Sequence, residues 1–271
     1  GSAGPSKRHE NGSFRLTVGT DCSGIESPIQ ALTNLRVNHD HKFSCDNDEN
    51  VAKTIRANFK PEVFQKDITT VKMEDRPSVN LYIAGFPCQP FSSAGKQQGF
   101  DDDKGRGVIF FNILDYIKTK QPNVFILENV KGLVTMSNGK YRKKIMQELY
   151  SVKRGGSDTT DSRPVPLEQS GAYEIHDAVM NTSEHGLPQN RPRWICVGIR
   201  RDTFTGEKSN FKFPSNVPCP SIEHFFDDVN GDDECPSAQV VNPRIQKNIE
   251  KALVEIGKEG QDPLHLPFIV D

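Results

Sequence analysis

The stretch FRLTVGTDCSGIESPIQALTNL, residues 14–35, contains the first strand, turn and helix that the sequence predicts. FRLTVGT has the apolar and β-branched residues typical of a buried strand, and IQALTNL has the apolar spacing of a helix. Pro28 precedes that helix directly. Because the same order of strand and helix recurs along the chain, this stretch decides the fold class.

Later segments repeat the alternation of strand and helix. The further predicted strands are KFSC (42–45), NLYIAGF (80–86), NVFILEN (123–129), YEIHDAVMN (173–181) and RWICVGIR (193–200). The further predicted helices are residues 49–59, 108–120, 141–152 and 243–256. This order predicts an α/β fold with right-handed crossovers, a mostly parallel sheet and helices on both faces. Ligands of such sheets bind beyond the carboxyl ends of the strands.

The overall composition excludes several classes of protein. The chain has 34 basic and 36 acidic residues and a net charge of -2, so nucleic-acid binding would need a local basic face. No apolar stretch reaches the roughly 18 residues of a membrane span, and no signal peptide is recognisable. The six cysteines form no C-x-x-C pair, which argues against a structural metal site and a disulfide scaffold. We therefore expect no metal, no membrane and a reducing, intracellular setting.

Two candidate reactive groups, Cys88 and Glu128, lie at the ends of predicted strands. Cys88 stands between Pro87 and Pro90, which stiffen a turn where simple packing needs no stiffening. A thiol at such a position is a candidate nucleophile, although a small buried hydrophobe is the commoner fate of a free cysteine. Glu128 ends an apolar strand and is either a helix N-terminal acid, an ion-pair partner or a carboxyl with a raised pKa that can share a proton with a substrate.

Two arginines, Arg191 and Arg193, precede the last predicted strand and can lie on one side of it. Guanidinium groups stabilise thiolates and bind carbonyl oxygens or phosphates, although paired arginines are usually solvated surface residues.

The order and spacing of these motifs resemble the DNA cytosine-5 methyltransferase family over residues 14–200. The motifs are Pro-Cys-Gln, then Glu-Asn-Val forty residues on, then Gln-x-Arg-x-Arg, and GKQQGF and ENVKG also match closely. The resemblance implies a Rossmann-like S-adenosylmethionine-dependent methyltransferase fold. It also implies double-stranded DNA as substrate and S-adenosylmethionine as cofactor, with S-adenosylhomocysteine as product.

The resemblance implies a role for each reactive group. Cys88 would add to C6 of a flipped cytosine, and Glu128 would bond N3 and the exocyclic amine. Arg193 would bind the base carbonyl, while Arg191 supports the loop and nearby phosphates. The stretch 89–107 would be a mobile loop that closes over the nucleotide. The implied DNA-binding residues are Gln89, Ser92, Ser93, Lys96, Lys104, Arg106, Asn129 and Gln189.

The resemblance also implies a cofactor site at the first strand ends. Asp46 would bond the ribose hydroxyls, and Asp67 with Ile68 would contact the adenine. Cys22 and Asn47 stand where the family often has an aromatic residue, so we expect weaker stacking and weaker cofactor affinity. The full set of implied cofactor residues is Cys22, Ser23, Gly24, Asp46, Asn47, Asp67, Ile68 and Pro87.

The predicted organisation has three parts. Residues 1–13, which open with a sequence resembling a cloning remnant, form a lead, and residues 14–200 form the catalytic domain with a polar insertion at 154–171. Residues 201–271 would begin a target-recognition or connecting region. The family's later motifs are not recognisable there, so we expect a missing C-terminal segment or a second chain and low activity for the chain alone.

Other interpretations stay open at this point. A degenerate homologue would also lack the later motifs. A tRNA cytosine-5 methyltransferase would use the same chemistry on another substrate, and a non-catalytic cofactor-binding or DNA-binding subunit would regulate a partner. The expected location is nuclear if the source is eukaryotic.

Overall fold

The computed structural model of the protein describes residues 15–87, 109–154 and 171–225, and five single positions between 247 and 258. The chain divides into two compact units. The first comprises Gly1–Asn181 with Asn190–Ser215, and the second comprises Thr182–Gln189 with Asn216–Asp271.

The first unit is built on a seven-stranded sheet with the order β3-β2-β1-β4-β5-β7-β6. Strands β1 to β5 pair in parallel, whereas β7 pairs antiparallel with β5 and with β6. The strands are β1 (Leu16–Asp21), β2 (His39–Cys45), β3 (Val63–Gln65), β4 (Leu81–Gly85), β5 (Val124–Val130), β6 (Tyr173–Asn181) and β7 (Pro192–Arg200).

Helices connect most of these strands. They are α1 (Ser27–Asn34), α2 (Glu49–Asn58), α3 (Ile109–Lys120), α4 (Gly132–Thr135) and α5 (Lys140–Tyr150). The sequence explains one start directly, because the Asp48 side chain caps α2 by accepting hydrogen bonds from the backbone N–H groups of Asn50 and Val51. The predicted elements that lie within the described ranges 15–87, 109–154 and 171–225 are present with ends shifted by a few residues, and β3 is an additional short strand.

Apolar side chains pack on both faces of the sheet because successive strand residues point to opposite sides. On one face Val18 and Leu81 pack with Ile29 of α1. On the other face Tyr82 and Phe125 pack with residues of α3 and α5 in a larger core. The helices therefore cover both faces, as the alternation of elements predicts.

A buried ionic cluster lies within the larger core. The Arg76 guanidinium and the Tyr82 hydroxyl both donate hydrogen bonds to the Asp21 carboxylate at the end of β1. The guanidinium carbon also lies 4.8 Å from the Phe43 ring centre and 4.7 Å from that of Tyr116. This cluster ties the end of β1 to Arg76 and β4, and Arg76 in turn contacts aromatic rings of β2 and α3.

The second unit is described more sparsely. Its short 3-10 helix, Thr182–Glu184, is followed by a β-bridge between His185 and Val217. Lys247, Glu250 and Val254, within the predicted helix 243–256, are helical. Across the described parts of both units, no helix is long and apolar enough to cross a bilayer.

Candidate active site

A cleft of about 260 Å³ lies at the carboxyl edge of the parallel strands. Residues at or just after the ends of β1, β2, β4 and β5 reach this edge. Because β7 runs in the opposite direction, the residues at its start reach the same edge. The lining residues are Cys22, Asp46, Gly85, Phe86, Pro87, Glu128, Val130, Arg191 and Arg193.

Glu128 and Arg193 form the centre of the cleft wall. Arg193 pairs with Val130 in the β5–β7 register, which brings its guanidinium back over Glu128. Its Nε donates a hydrogen bond to Glu128 Oε1 at 2.9 Å, and the two side chains are 23% and 36% exposed. Burial raises the pKa of the Glu128 carboxyl, while the charges of Arg193 and Arg191 oppose the rise.

The two predicted arginines, Arg191 and Arg193, both line the cleft. The backbone N–H of Arg191 donates to Asn181 Oδ1 at 2.8 Å, which ties the residue to the end of β6. Gln189 belongs to the second unit, where its carbonyl oxygen accepts a hydrogen bond from the Thr182 hydroxyl.

The predicted cofactor residues at the first two strand ends form the other side of the cleft. Cys22 and Gly24 have left-handed backbones, with φ of 51° and 53°. The Gly24 N–H donates to Asp46 Oδ2 at 3.0 Å, so the turn after β1 is held to the end of β2. The Asp46 carboxylate still has lone pairs available, which suits it to accept hydrogen bonds from a diol.

Five predicted cofactor residues are not among the residues that line the cleft: Ser23, Gly24, Asn47, Asp67 and Ile68. Asn47 is exposed beside Asp46. The Asp67 carboxylate accepts from the backbone and hydroxyl of Thr69 and so closes a local turn. Ile68 is buried in the larger core.

Two predicted contact residues, Asn129 and Ser23, are buried and form hydrogen bonds within the protein. Asn129 is fully buried, and its side chain donates to the Phe86 carbonyl oxygen and accepts from the Val130 N–H. These bonds hold the turn that leads to Pro87. Ser23 is also buried, and both its hydroxyl and its backbone N–H bond the Cys45 backbone.

Sequence reasoning missed a second polar cluster beneath the turn after β1. Glu26 is fully buried and left-handed, with φ of 59°. Its Oε1 accepts hydrogen bonds from the Thr20 and Ser44 hydroxyls, each at 2.5 Å. His41 Nε2 lies 3.4 Å from the same oxygen. The carboxylate therefore joins β1, β2 and the turn that faces the cleft.

The buried cluster at Asp21 was also missed, although an acid at the end of an apolar strand is a signal that can be read. Burial raises the pKa of the Asp21 carboxyl, and the bonds from Arg76 and Tyr82 oppose the rise. Arg76 itself could not be assigned to this site from sequence, because it lies 55 residues away in the chain.

Gly85 separates the two halves of the cleft. A Cβ at this position would lie 3.5 Å from Glu128 Oε2 and 4.0 Å from the Cys22 carbonyl oxygen. With only a hydrogen there, no side chain at position 85 fills the space between Cys22 and Glu128, which both line the cleft.

Cys88 follows the lining residue Pro87 directly in the chain but lies outside the described residues. The same is true of the predicted loop residues Gln89, Ser92, Ser93, Lys96, Lys104 and Arg106. Burial raises the thiol pKa of Cys22, Cys45 and Cys196, so none of these three is a favoured nucleophile. Within the ranges that are described, no group of His, Cys, Asp or Glu side chains could hold a metal ion.

The sequence matches the family model of the C-5 cytosine-specific DNA methylases over residues 22–153 and 159–259. It is 38% identical over 173 residues to the type II methyltransferase M1.ScrFI of Lactococcus lactis subsp. cremoris, a match covering 64% of this chain and 39% of that protein. It is 33% identical over 221 residues to M.HaeII of Haemophilus aegyptius, covering 82% and 59%. The chain thus spans less than two thirds of these relatives.

Solved methyltransferase structures share the fold. The Entamoeba histolytica methyltransferase EhMeth has a TM-score of 0.56 at 20% identity, over 80% of this chain and 61% of that one. A putative DNA modification methyltransferase from an Escherichia coli prophage has a TM-score of 0.50 at 21% identity, over 69% and 47%. The predicted Rossmann-like methyltransferase fold is confirmed.

Proposed function

Because the chain belongs to the C-5 cytosine-specific DNA methylase family, we propose that it transfers a methyl group to C5 of cytosine in double-stranded DNA. The observation that carries the proposal is the Glu128–Arg193 pair at 2.9 Å, which shares a cleft with Pro87, the residue before Cys88. An acid and a cation at this distance can contact adjacent atoms of one pyrimidine ring.

In this proposal the Cys88 thiolate adds to C6 of an extruded cytosine. A C–S bond forms, and the electron pair of the C5–C6 double bond moves into the ring. Protonated Glu128 donates to N3, and Arg193 turns from Glu128 to the base carbonyl oxygen, so both absorb the developing negative charge. C5 would then take the methyl group that S-adenosylmethionine supplies, leaving S-adenosylhomocysteine. Solvent water would take the C5 proton, and the electrons of that C–H bond would restore the C5–C6 double bond as the C–S bond breaks to release the thiolate. N3 would return its proton to Glu128.

The environment of Glu128 supports the role of a proton donor. Its partial burial raises the pKa of the carboxyl, so the protonated form persists to a higher pH than for a solvated glutamate. Arg193 limits the rise and keeps the side chain oriented. A target base would compete with Glu128 for the Arg193 guanidinium, which would favour protonation once the base is bound.

The cofactor half of the cleft suits S-adenosylmethionine, which would supply the methyl group when bound. Asp46 would accept hydrogen bonds from the ribose hydroxyls, and the left-handed turn at Cys22 and Gly24 lets the backbone approach closely. Neither Cys22 nor Asn47 offers an aromatic face, so we expect weak adenine stacking. Isothermal titration would contradict this if the cofactor bound with ordinary high affinity.

Base flipping and closure of the loop 89–107 complete the proposal. Arg191 would assist by contacting a phosphate beside the flipped nucleotide. We further propose that residues 201–271 begin the target-recognition region and that segments beyond this sequence, or a second chain, supply the rest.

Covalent trapping tests the function. A duplex with 5-fluorocytosine at the target position holds fluorine where C5 must lose a proton, so the adduct cannot resolve after methylation. We expect S-adenosylmethionine-dependent formation of a protein–DNA adduct, seen by intact mass. Cys88→Ser should abolish it, whereas the control Cys219→Ser, at an exposed cysteine outside the cleft lining, should retain it. An adduct only on RNA, or none on either nucleic acid, would overturn the proposal.

A further inference from the structure

A run of basic residues without acids follows the cleft wall. Between Glu128 and Glu148 the chain has five basic residues and no acidic one, in a protein whose net charge is -2. The five are Lys131, Lys140, Arg142, Lys143 and Lys144. We refer to Lys131, Lys140 and Lys143 as the basic flank.

The basic flank lies at the same edge of the sheet as the cleft. Lys131 comes directly after Val130, which lines the cleft. The start of α5 returns to this edge, because the Lys144 ammonium lies 5.4 Å from the ring centre of Phe111, at the start of α3. In a crossover between parallel strands, a helix begins at the carboxyl edge of the sheet.

Two of the five basic residues have structural partners. Arg142 makes a bidentate pair with Asp177, with hydrogen bonds of 2.6 and 2.7 Å, and Trp194 donates to the same carboxylate. Lys144 covers the Phe111 ring. The three lysines of the basic flank are exposed. Their ammonium groups have no carboxylate partner within the part of the chain that the structure describes.

The position of these charges works against the stability of the free protein. Helix α5 has no side-chain cap and no acidic residue in its first turn. Lys140 and Lys143 place positive charge where the helix dipole is already positive, which is unfavourable. A polyanion bound at this edge would relieve that repulsion.

We propose that the basic flank binds the phosphate backbone of duplex DNA beside the cleft. The inference rests on the proposed function and adds a docking surface outside the reacting groups. Each lysine that neutralises a phosphate releases condensed counterions, so affinity falls steeply with salt. Such contacts position the duplex without reading its sequence.

The test compares two triple variants of the full chain. Lys131→Gln, Lys140→Gln and Lys143→Gln remove the basic flank. The control, Lys60→Gln, Lys120→Gln and Lys153→Gln, removes the same charge at the opposite edge, where α2, α3 and α5 end. Binding of a labelled duplex is measured by fluorescence anisotropy over a range of salt concentrations.

We expect the flank variant to bind DNA about tenfold or more weakly at low salt, with the slope of log K against log salt reduced by about 2 to 3. The weakening should be equal for unrelated duplex sequences, and S-adenosylhomocysteine binding should be unchanged. The control should retain the original slope.

Equal loss in both variants, no loss in the flank variant, or no DNA binding by the unsubstituted chain would overturn the inference. So would loss of binding to single-stranded RNA without loss on duplex DNA. The two proposals can fail separately. If covalent trapping fails but DNA binding still depends on the basic flank, the proposed chemistry is rejected and the docking surface is retained.

Discussion

Glu128 and Arg193 form an ion pair in the cleft, where both side chains are partly buried. Burial favours the neutral carboxyl, whereas the guanidinium favours the carboxylate. The net result is a raised pKa of the Glu128 carboxyl, because the effect of burial is larger than the opposing effect of the Arg193 charge. Loss of Arg193 should therefore change the protonation of Glu128.

We predict that Arg193→Met raises the pKa of Glu128 further, because the restraining positive charge is lost. Deprotonation of Glu128 would then occur at a higher pH than in the unsubstituted protein. Carbon-13 NMR titration of protein with labelled glutamate measures the pKa of Glu128, and the Glu128→Gln variant identifies its signal. Arg56→Met, at the far end of the sheet, is the control and should leave the titration unchanged. A lowered or unaltered pKa in Arg193→Met would contradict the prediction.

Glu26 should stabilise the turn beneath the cofactor half of the cleft. Glu26→Ala leaves the Thr20 and Ser44 hydroxyls without their buried acceptor, so we expect a loss of about 2 to 4 kcal/mol in unfolding free energy. Glu26→Gln keeps an acceptor oxygen and should lose less. Urea denaturation measures both, with exposed Glu62→Ala as control. Similar stabilities for all the variants would show that the cluster contributes little.

The sequence predicts a residue's position at a strand end better than it predicts the direction of its side chain. Glu128, Arg193 and Asp46 were all expected at the carboxyl edge, and all three line the cleft. Asn129 was expected to face DNA, but strand residues alternate sides, and its side chain points inward. The Glu26 cluster depends on partners from β2, which a single-sequence pattern does not identify.

At the scale of elements, two glycines allow aromatic rings to lie across neighbouring strands. Gly19 pairs with Phe43 between β1 and β2, and Gly198 pairs with Phe125 between β7 and β5. A Cβ on either glycine would lie 2.1 Å from a ring carbon. The absence of side chains at these points therefore determines how closely the rings pack on the sheet.

Gly198→Ala should destabilise the protein by about 1 to 3 kcal/mol, because the added methyl group collides with the buried Phe125 ring. Adding Phe125→Leu should recover part of that loss by making room. Thermal unfolding of the single and double variants gives the coupling between the two positions. Strictly additive losses would mean that the ring does not meet the new methyl group.

Long apolar strands were predictable because their patterns are strong, whereas β3 was not. It has only three residues at the edge of the sheet, and only Gln65 among them is buried. Such a strand is defined by its pairing with β2, which depends on tertiary packing and not on local propensity. Helix α5 also starts one residue early, after Ser137, Asn138 and Gly139 adopt left-handed backbones.

At the scale of the whole molecule, every lining residue of the cleft belongs to the first unit. Cofactor binding should therefore stabilise that unit. At a concentration 100 times its dissociation constant, S-adenosylhomocysteine should add about 2.7 kcal/mol to the free energy of unfolding. Hydrogen exchange should locate the protection at the ends of β1, β2 and β4.

The matched variants are Asp46→Ala, which should lose most of this stabilisation, and exposed Asp115→Ala, which should keep it. Protection confined to the second unit, or equal stabilisation of both variants, would place the cofactor elsewhere.

The reversed direction of β7 gives the protein a route to new selectivity. The end of β5 and the start of β7 lie at the same edge of the sheet. The segments that follow β5 and precede β7 can therefore change in length or charge while the strand pairing stays the same. A descendant could acquire a different target by altering those segments alone. The reacting groups would keep their mutual distance, since two hydrogen-bonded strands hold them.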